Sequence, residues 1–131
     1  MKIVVGYDGS KVAKDALKLA PKRALALGAK IEVVQTMAQS HQLRYEEISK
    51  AESNLGKEMR KLLNGDCPTY DTHLVTSRLR TGEELVEYAK RNKFDEIIIG
   101  VRRRSKVGKL MFGSTAQHVI LNAPCPVLSV K

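Results

Sequence analysis

The spacing of apolar positions changes repeatedly along this chain, from short continuous runs to three- and four-residue steps, with glycine, proline or small polar clusters between. Residues 2–7 (KIVVGY) form a nearly unbroken apolar run that stops at Asp8-Gly9-Ser10, the pattern of a strand buried on both faces before a turn. From Lys11 to Gly28, Ala13, Ala16, Leu17, Ala20, Ala24, Leu25 and Leu27 recur at helical spacing, and Gly28 supplies a stop. Pro21 interrupts that helix. A proline there removes one backbone hydrogen bond at a cost of roughly 3 kcal/mol, which predicts a kink near residues 17–20 or two helical pieces. Residues 31–36 (IEVVQT) predict a second strand and residues 37–42 a polar connection. Ile48, Ala51, Leu55, Met59 and Leu62 then mark one face of a long amphipathic helix that ends at Asn64-Gly65.

Residues 70–76 alternate well enough for a third strand. Thr81-Gly82-Glu83-Glu84 has capping-box spacing, so Thr81 is expected to cap a helix running to about Asn92, with Glu84 reaching back to its start. Residues 95–100 contain three consecutive isoleucines with no polar face, the strongest signal in the chain for a buried central strand. Ser114 and Gln117 repeat the capping pattern, opening a helix through Ala116, Val119, Ile120 and Ala123 that Pro124 stops; residues 126–130 follow as a last strand. Strands alternating with helices predict an α/β fold, an open parallel five-stranded sheet with helices on both faces. At 131 residues one domain, 1–131, is expected.

Composition narrows the class. The chain is 43% hydrophobic and 28% charged, with no low-complexity tract, as expected for a fully folded globular domain. Its start and its short apolar runs predict neither a signal peptide nor a membrane span, and a cytoplasmic location follows as the expectation. Cys67 and Cys125 lack the spacing for redox or zinc chemistry and read as inert thiols. His41, His73 and His118 show no metal-ligand spacing, so no metal site is expected.

Charge adds a question. The net charge is +9, and from Val101 to Lys131 there are six basic residues and no acidic one, five of them between Arg102 and Lys109. Such an excess suits a phosphate-bearing partner. A nucleic-acid reader is disfavoured by 5% aromatics, the absence of tryptophan and the lack of any recognition motif.

Open α/β sheets bind ligands beyond the carboxyl ends of their strands. Two segments fall there: Gly6 to Ser10, and the long stretch from Gly100 to Thr115. The latter ends in Gly113-Ser114-Thr115 at a predicted helix start, where free backbone N–H groups and the dipole favour an anion and two hydroxyls add donors. Glycine before serine also simply caps helices, and Asp8 before Gly-Ser is ordinary turn chemistry that would cap the first helix. No activated nucleophile, P-loop or nucleophile elbow is present, so no catalytic residue is nominated.

VVGYDGS near the start, the IIIG strand, the loop into GST and APCPVLSV at the end resemble the universal stress protein (UspA-like) family over the whole chain. The resemblance implies the adenine nucleotide alpha hydrolase-like sheet, strand order 3-2-1-4-5, and a stress-response regulator binding ATP or AMP, with Mg2+ only alongside the nucleotide and at most weak ATP hydrolysis. Nucleotide-binding members carry G-x2-G-x9-G-[S/T] after the fourth strand. Here Gly100, Gly113 and Ser114 match, and Arg103 stands at the second glycine. Arg103 either fills the pocket or adds a guanidinium fork to the phosphates, with Arg102 and its basic neighbours favouring a polyphosphate. By the same resemblance Asp8 lies near the adenosine and Thr36 offers backbone to the adenine. The alternative it implies is a dimeric interaction protein without nucleotide, Arg103 blocking the site, and a homodimer formed across the strand Pro126 to Val130.

Overall fold

The structure, a computed structural model, describes residues 1–63, 65, 67, 69–106 and 109–131, with the backbone alone at 103–106 and 109–111. Its elements are β1 (Lys2–Gly6), α1 (Lys11–Leu27), β2 (Lys30–Ala38), α2 (Tyr45–Leu62), β3 (Tyr70–Ser77), α3 (Thr81–Arg91), β4 (Glu96–Gly100), β5 (Arg103–Lys106), β6 (Lys109–Phe112), α4 (Ser114–Asn122) and β7 (Val127–Val130). Five strands form one parallel sheet in the order β3-β2-β1-β4-β7, the expected 3-2-1-4-5.

The strand signals come from burial on both faces. Ile3, Val5, Ile31, Val33 and Ile98 pack with α1 and α2; Val4, Val34, Ile97 and Ile99 pack with α3 and α4. Ile97, Ile98 and Ile99 are all buried, each contributing roughly 1.5–3 kcal/mol through removal from water. Because alternate residues of β4 feed opposite cores, a polar residue at any of the three would face apolar neighbours.

Helix α1 runs unbroken through Pro21. The expectation of two helical pieces is thus corrected: burial of Leu17, Ala20 and Ala24 against the sheet outweighs the hydrogen bond lost to the proline ring. Gly28 ends α1 in the left-handed conformation (φ 62°), as its position suggested. The two capping boxes are corrected as well. Arg80 and Gly113 occupy the N-cap positions of α3 and α4, and neither helix start carries a side-chain cap. Thr81 and Ser114 are the first helical residues. Glu84 cannot reach back because its buried carboxylate accepts from Ser77 Oγ at 2.7 Å and from Arg91 Nη2 at 2.6 Å.

The segment from Gly100 to Gly113, expected as a loop, contains an antiparallel ribbon of β5 and β6 that pairs Arg103 with Phe112 and Lys106 with Lys109, separate from the main sheet. Among the described residues no helix is long and apolar enough to cross a membrane.

Candidate nucleotide site

Strand order reverses between β1 and β4, so the backbones leaving these two strands diverge and open a mouth between them. Gly6, Tyr7 and Asp8 leave β1 there; Gly100 leaves β4. A cavity of about 130 Å³ runs inward from the mouth between Tyr7, Val34, Thr36, Thr81, Leu85 and Ile99. A wider basin of about 420 Å³ adjoins it, sharing Asp8, Gly100 and Thr115, and extends past Arg102 to Phe112, Gly113 and Ser114. The inner cavity mixes apolar walls with two threonine hydroxyls, Thr36 Oγ1 donating to Thr81 Oγ1 at 3.2 Å. Among the described residues the outer basin is ringed by one carboxylate, one guanidinium and a helix start.

Of the helix starts at this mouth, those of α1 and α4 are finished differently. At α1, Ser10 Oγ accepts from the Ala13 N–H at 3.2 Å, and Asp8 Oδ1 accepts from the Ser10 N–H at 2.9 Å. Asp8 therefore does hold the turn, and Ser10 rather than Asp8 is the cap. At α4 the Gln117 N–H is the first to reach back, bonding the Gly113 carbonyl at 3.1 Å. The N–H groups of Ser114, Thr115 and Ala116 precede it, without a side-chain cap, along the basin wall. Donors left free at the positive end of a helix dipole are suited to an anion.

Gly100 and Gly113 differ in why they are glycine. A Cβ on Gly100 would sit 2.4 Å from the Val12 carbonyl carbon and 2.7 Å from the Ala13 nitrogen, so β4 can pass the start of α1 only without a side chain. Gly113 has ordinary dihedrals (φ −62°, ψ 158°), and among the described residues nothing lies within 4 Å of where its Cβ would be. Packing does not require glycine there. What its missing side chain leaves is open space above the free N–H groups.

Of the residues nominated from sequence, Asp8, Thr36, Gly100 and Thr115 line the inner cavity, and Asp8, Gly100, Arg102, Gly113, Ser114 and Thr115 line the basin. Arg102 Nη2 stands 3.8 Å from Asp8 Oδ2, both side chains exposed, so a guanidinium and a carboxylate face each other across the mouth. The Arg103 side chain lies outside the described residues; its backbone opens β5. The sequence reading missed Tyr7, Thr81 and Leu85. Thr81 was visible only as a helix cap, and the signal that could have found it is its place just beyond a third parallel strand, on the same rim as Asp8 and Gly100.

Tyr7 is buried, and its hydroxyl donates to Glu58 on α2. Burial, then the Glu58 carboxylate, holds its pKa above the ordinary tyrosine value. Neutral and tied to α2, it forms a fixed wall. Burial also raises the thiol pKa of Cys67 and Cys125, in keeping with inert thiols. Among the described residues no group of three His, Cys, Asp or Glu side chains is placed to hold a metal ion.

The fold has close counterparts. The chain matches the universal stress protein family over residues 1–131. A universal stress protein of Thermus aquaticus is 34% identical, the match covering 98% of this chain and 97% of that one. One from Methanocaldococcus jannaschii is 30% identical over 99% of this chain and 81% of the other. The structure of the Archaeoglobus fulgidus universal stress protein in complex with dAMP superimposes with a TM-score of 0.80 at 27% identity, covering 100% of this chain and 98% of that one. With sheet order, glycine-serine helix start and full-length similarity in agreement, the chain belongs to the universal stress protein family.

Proposed function

We propose that the protein is a nucleotide-binding stress-response regulator that takes ATP or AMP in the mouth between β1 and β4. The base and ribose occupy the inner cavity, with Thr36 and Asp8 beside them. The phosphates occupy the basin, held by the loop from Gly100 to Ser114, by the N–H groups at the start of α4 and by Arg102. The observation that carries this reading is the uncapped α4 start beneath Gly113, where donors and open space coincide although packing does not call for a glycine. The dAMP complex of the Archaeoglobus relative supports the same ligand class. The role we assign to Arg103 is that of a second guanidinium for the phosphates, with Mg2+ arriving alongside the nucleotide rather than at a protein-built site. No group is assigned to turnover beyond weak hydrolysis.

Calorimetric titration of ATP into the native protein and into Arg103→Gly tests the reading. Saturable heat from the native protein is expected; no heat from either protein overturns it. Binding by the glycine variant alone makes Arg103 a plug and selects the alternative, a dimeric interaction protein without nucleotide.

The dimer itself has its own support. β7 is an edge strand, with unpaired backbone on its outer side, and Ile120 and Leu121 of the preceding helix α4 are exposed. Pairing of two β7 strands, Pro126 to Val130, across a two-fold axis would cover that edge. Size-exclusion chromatography with light scattering should give a dimer that Val127→Lys splits; a native monomer at micromolar concentration contradicts it. Action within the cytoplasm completes the proposal.

A further inference from the structure

Helix α1 places its charges against its own dipole. In α2 and α3 the first turn is acidic (Glu46 and Glu47; Glu83 and Glu84) and the last is basic (Arg60 and Lys61; Lys90 and Arg91), the arrangement that stabilises a helix. The first turn of α1 has no acid and begins with Lys11 and Lys14, and its last turn has no base. Lys14, Lys18 and Lys22 follow at four-residue steps, a like-charge spacing that destabilises a helix further. The buried residues of α1 are Ala13, Ala16, Leu17, Ala20 and Ala24, so at 100° per residue the lysines fall on the opposite, outward side, four cations to the one carboxylate of Asp15. Lys11, Lys18 and Lys22 are exposed and Lys14 half-buried; among the described residues none lies within 4 Å of a carboxylate.

We infer that this outward face of α1 is a docking track for the phosphate backbone of duplex nucleic acid. Four ammonium groups about one helical turn apart, some 5.4 Å, span roughly 16 Å along the helix. A duplex presents one negative charge per ~1.7 Å of axis over that length. Arg102 stands beyond the N-terminal end of the track beside Asp8, and the chain continues from it through Arg103, Arg104, Lys106 and Lys109 without an acid. Contacts to phosphate carry no sequence information and need no recognition motif, which is why the sequence lacked one. A single strand is the poorer fit, since its binding uses aromatic stacking platforms and α1 contains no aromatic residue. Charge placed where it weakens the helix is thereby given a purpose that an ordinary solvated face does not supply.

The test is fluorescence anisotropy with a labelled 20-base-pair DNA duplex of mixed sequence between 50 and 200 mM KCl. Three proteins are compared: native, the triple variant Lys14→Gln/Lys18→Gln/Lys22→Gln, and a charge-matched control on α2, Lys50→Gln/Lys57→Gln/Lys61→Gln. With five phosphate contacts the native affinity should fall roughly 500-fold across that salt range, against roughly tenfold for the α1 variant. The α2 control should follow the native protein. Glutamine is a comparable helix former and relieves the lysine repulsion, so the thermal midpoint of the α1 variant should hold or rise. Its ATP titration should be unchanged, which keeps this inference separate from the nucleotide reading. Absence of saturable duplex binding at 50 mM salt overturns the proposal. So does equal salt dependence in the native protein and the α1 variant, or a control as weakened as that variant. Binding to poly-L-glutamate with none to the duplex overturns it in favour of an acidic protein partner.

Discussion

Gly100 and Gly113 stand at the two ends of one segment and look interchangeable in a motif, yet they answer to different demands. At Gly100 the backbone of α1 passes so close that a Cβ would meet Val12 at 2.4 Å. At Gly113 the backbone is relaxed and the space above it is free of described neighbours. The first glycine belongs to the architecture and would be needed whether or not a ligand existed. The second is not demanded by packing, so matching a phosphate-loop pattern at Gly100 says nothing about phosphate, whereas a glycine at Gly113 is what the proposed phosphate site would account for.

The largest effect that follows is on stability. Gly100→Ala forces α1 away from β4 with no flexible side chain to give way, and should destabilise the protein by about 3 kcal/mol or more, lowering the thermal midpoint by roughly 10 °C. A midpoint within a degree or two of native would erase the distinction between the two glycines. Gly113→Asp should behave in the opposite way. Aspartate is a favoured N-cap and suits the local dihedrals, so the midpoint should hold or rise, while a carboxylate over the free N–H groups should weaken ATP binding by at least about tenfold. Differential scanning calorimetry and an ATP titration on the same variant read both halves.

Tyr7 sharpens the structural end of the comparison with a smaller effect. Its bond to Glu58 ties the chain leaving β1 to α2, and Tyr7→Phe should cost about 1 kcal/mol at neutral pH. The same residue sets a pH dependence. Burial keeps its phenol protonated in the folded state, as burial and then Glu32 do for Tyr88, whose pKa is pushed up to about 12. A folded-state pKa above the unfolded one gives stability that is complete below about pH 10 and is lost as pH rises, for Tyr88 between pH 10 and about 12. Urea midpoints measured at pH 9 and pH 12 should fall in the native protein and fall less in Tyr7→Phe/Tyr88→Phe. An equal fall in both would show that neither phenol is held neutral by the fold.

The contrast between the glycines also explains what could be read in advance. The strands were legible because Ile97, Ile98 and Ile99 and the run Ile3 to Val5 are buried on both faces, a condition that composition alone records. The rim of the mouth was legible because Asp8, Thr36 and Gly100 fall at or close to the carboxyl ends of β1, β2 and β4, where parallel sheets gather ligands, although β2 runs on two residues past Thr36 to Ala38. Helix caps were not, since Glu84 has a better partner in Ser77, seven residues away in sequence and visible only after folding. The β5–β6 ribbon was hidden because residues 103–112 are mostly charged or mixed and lack a clean alternation. Thr81 and Leu85 were missed for a related reason: their place in the cavity depends on how α3 lies across the sheet, which no local pattern encodes.

The claim on which the function rests is that the start of α4 holds phosphate. Parallel calorimetric titrations of the native protein with ATP and with adenosine address it without any substitution. ATP should bind at least about tenfold more tightly than adenosine, with the difference shrinking as salt rises. Equal affinities, or binding of neither, would contradict the account.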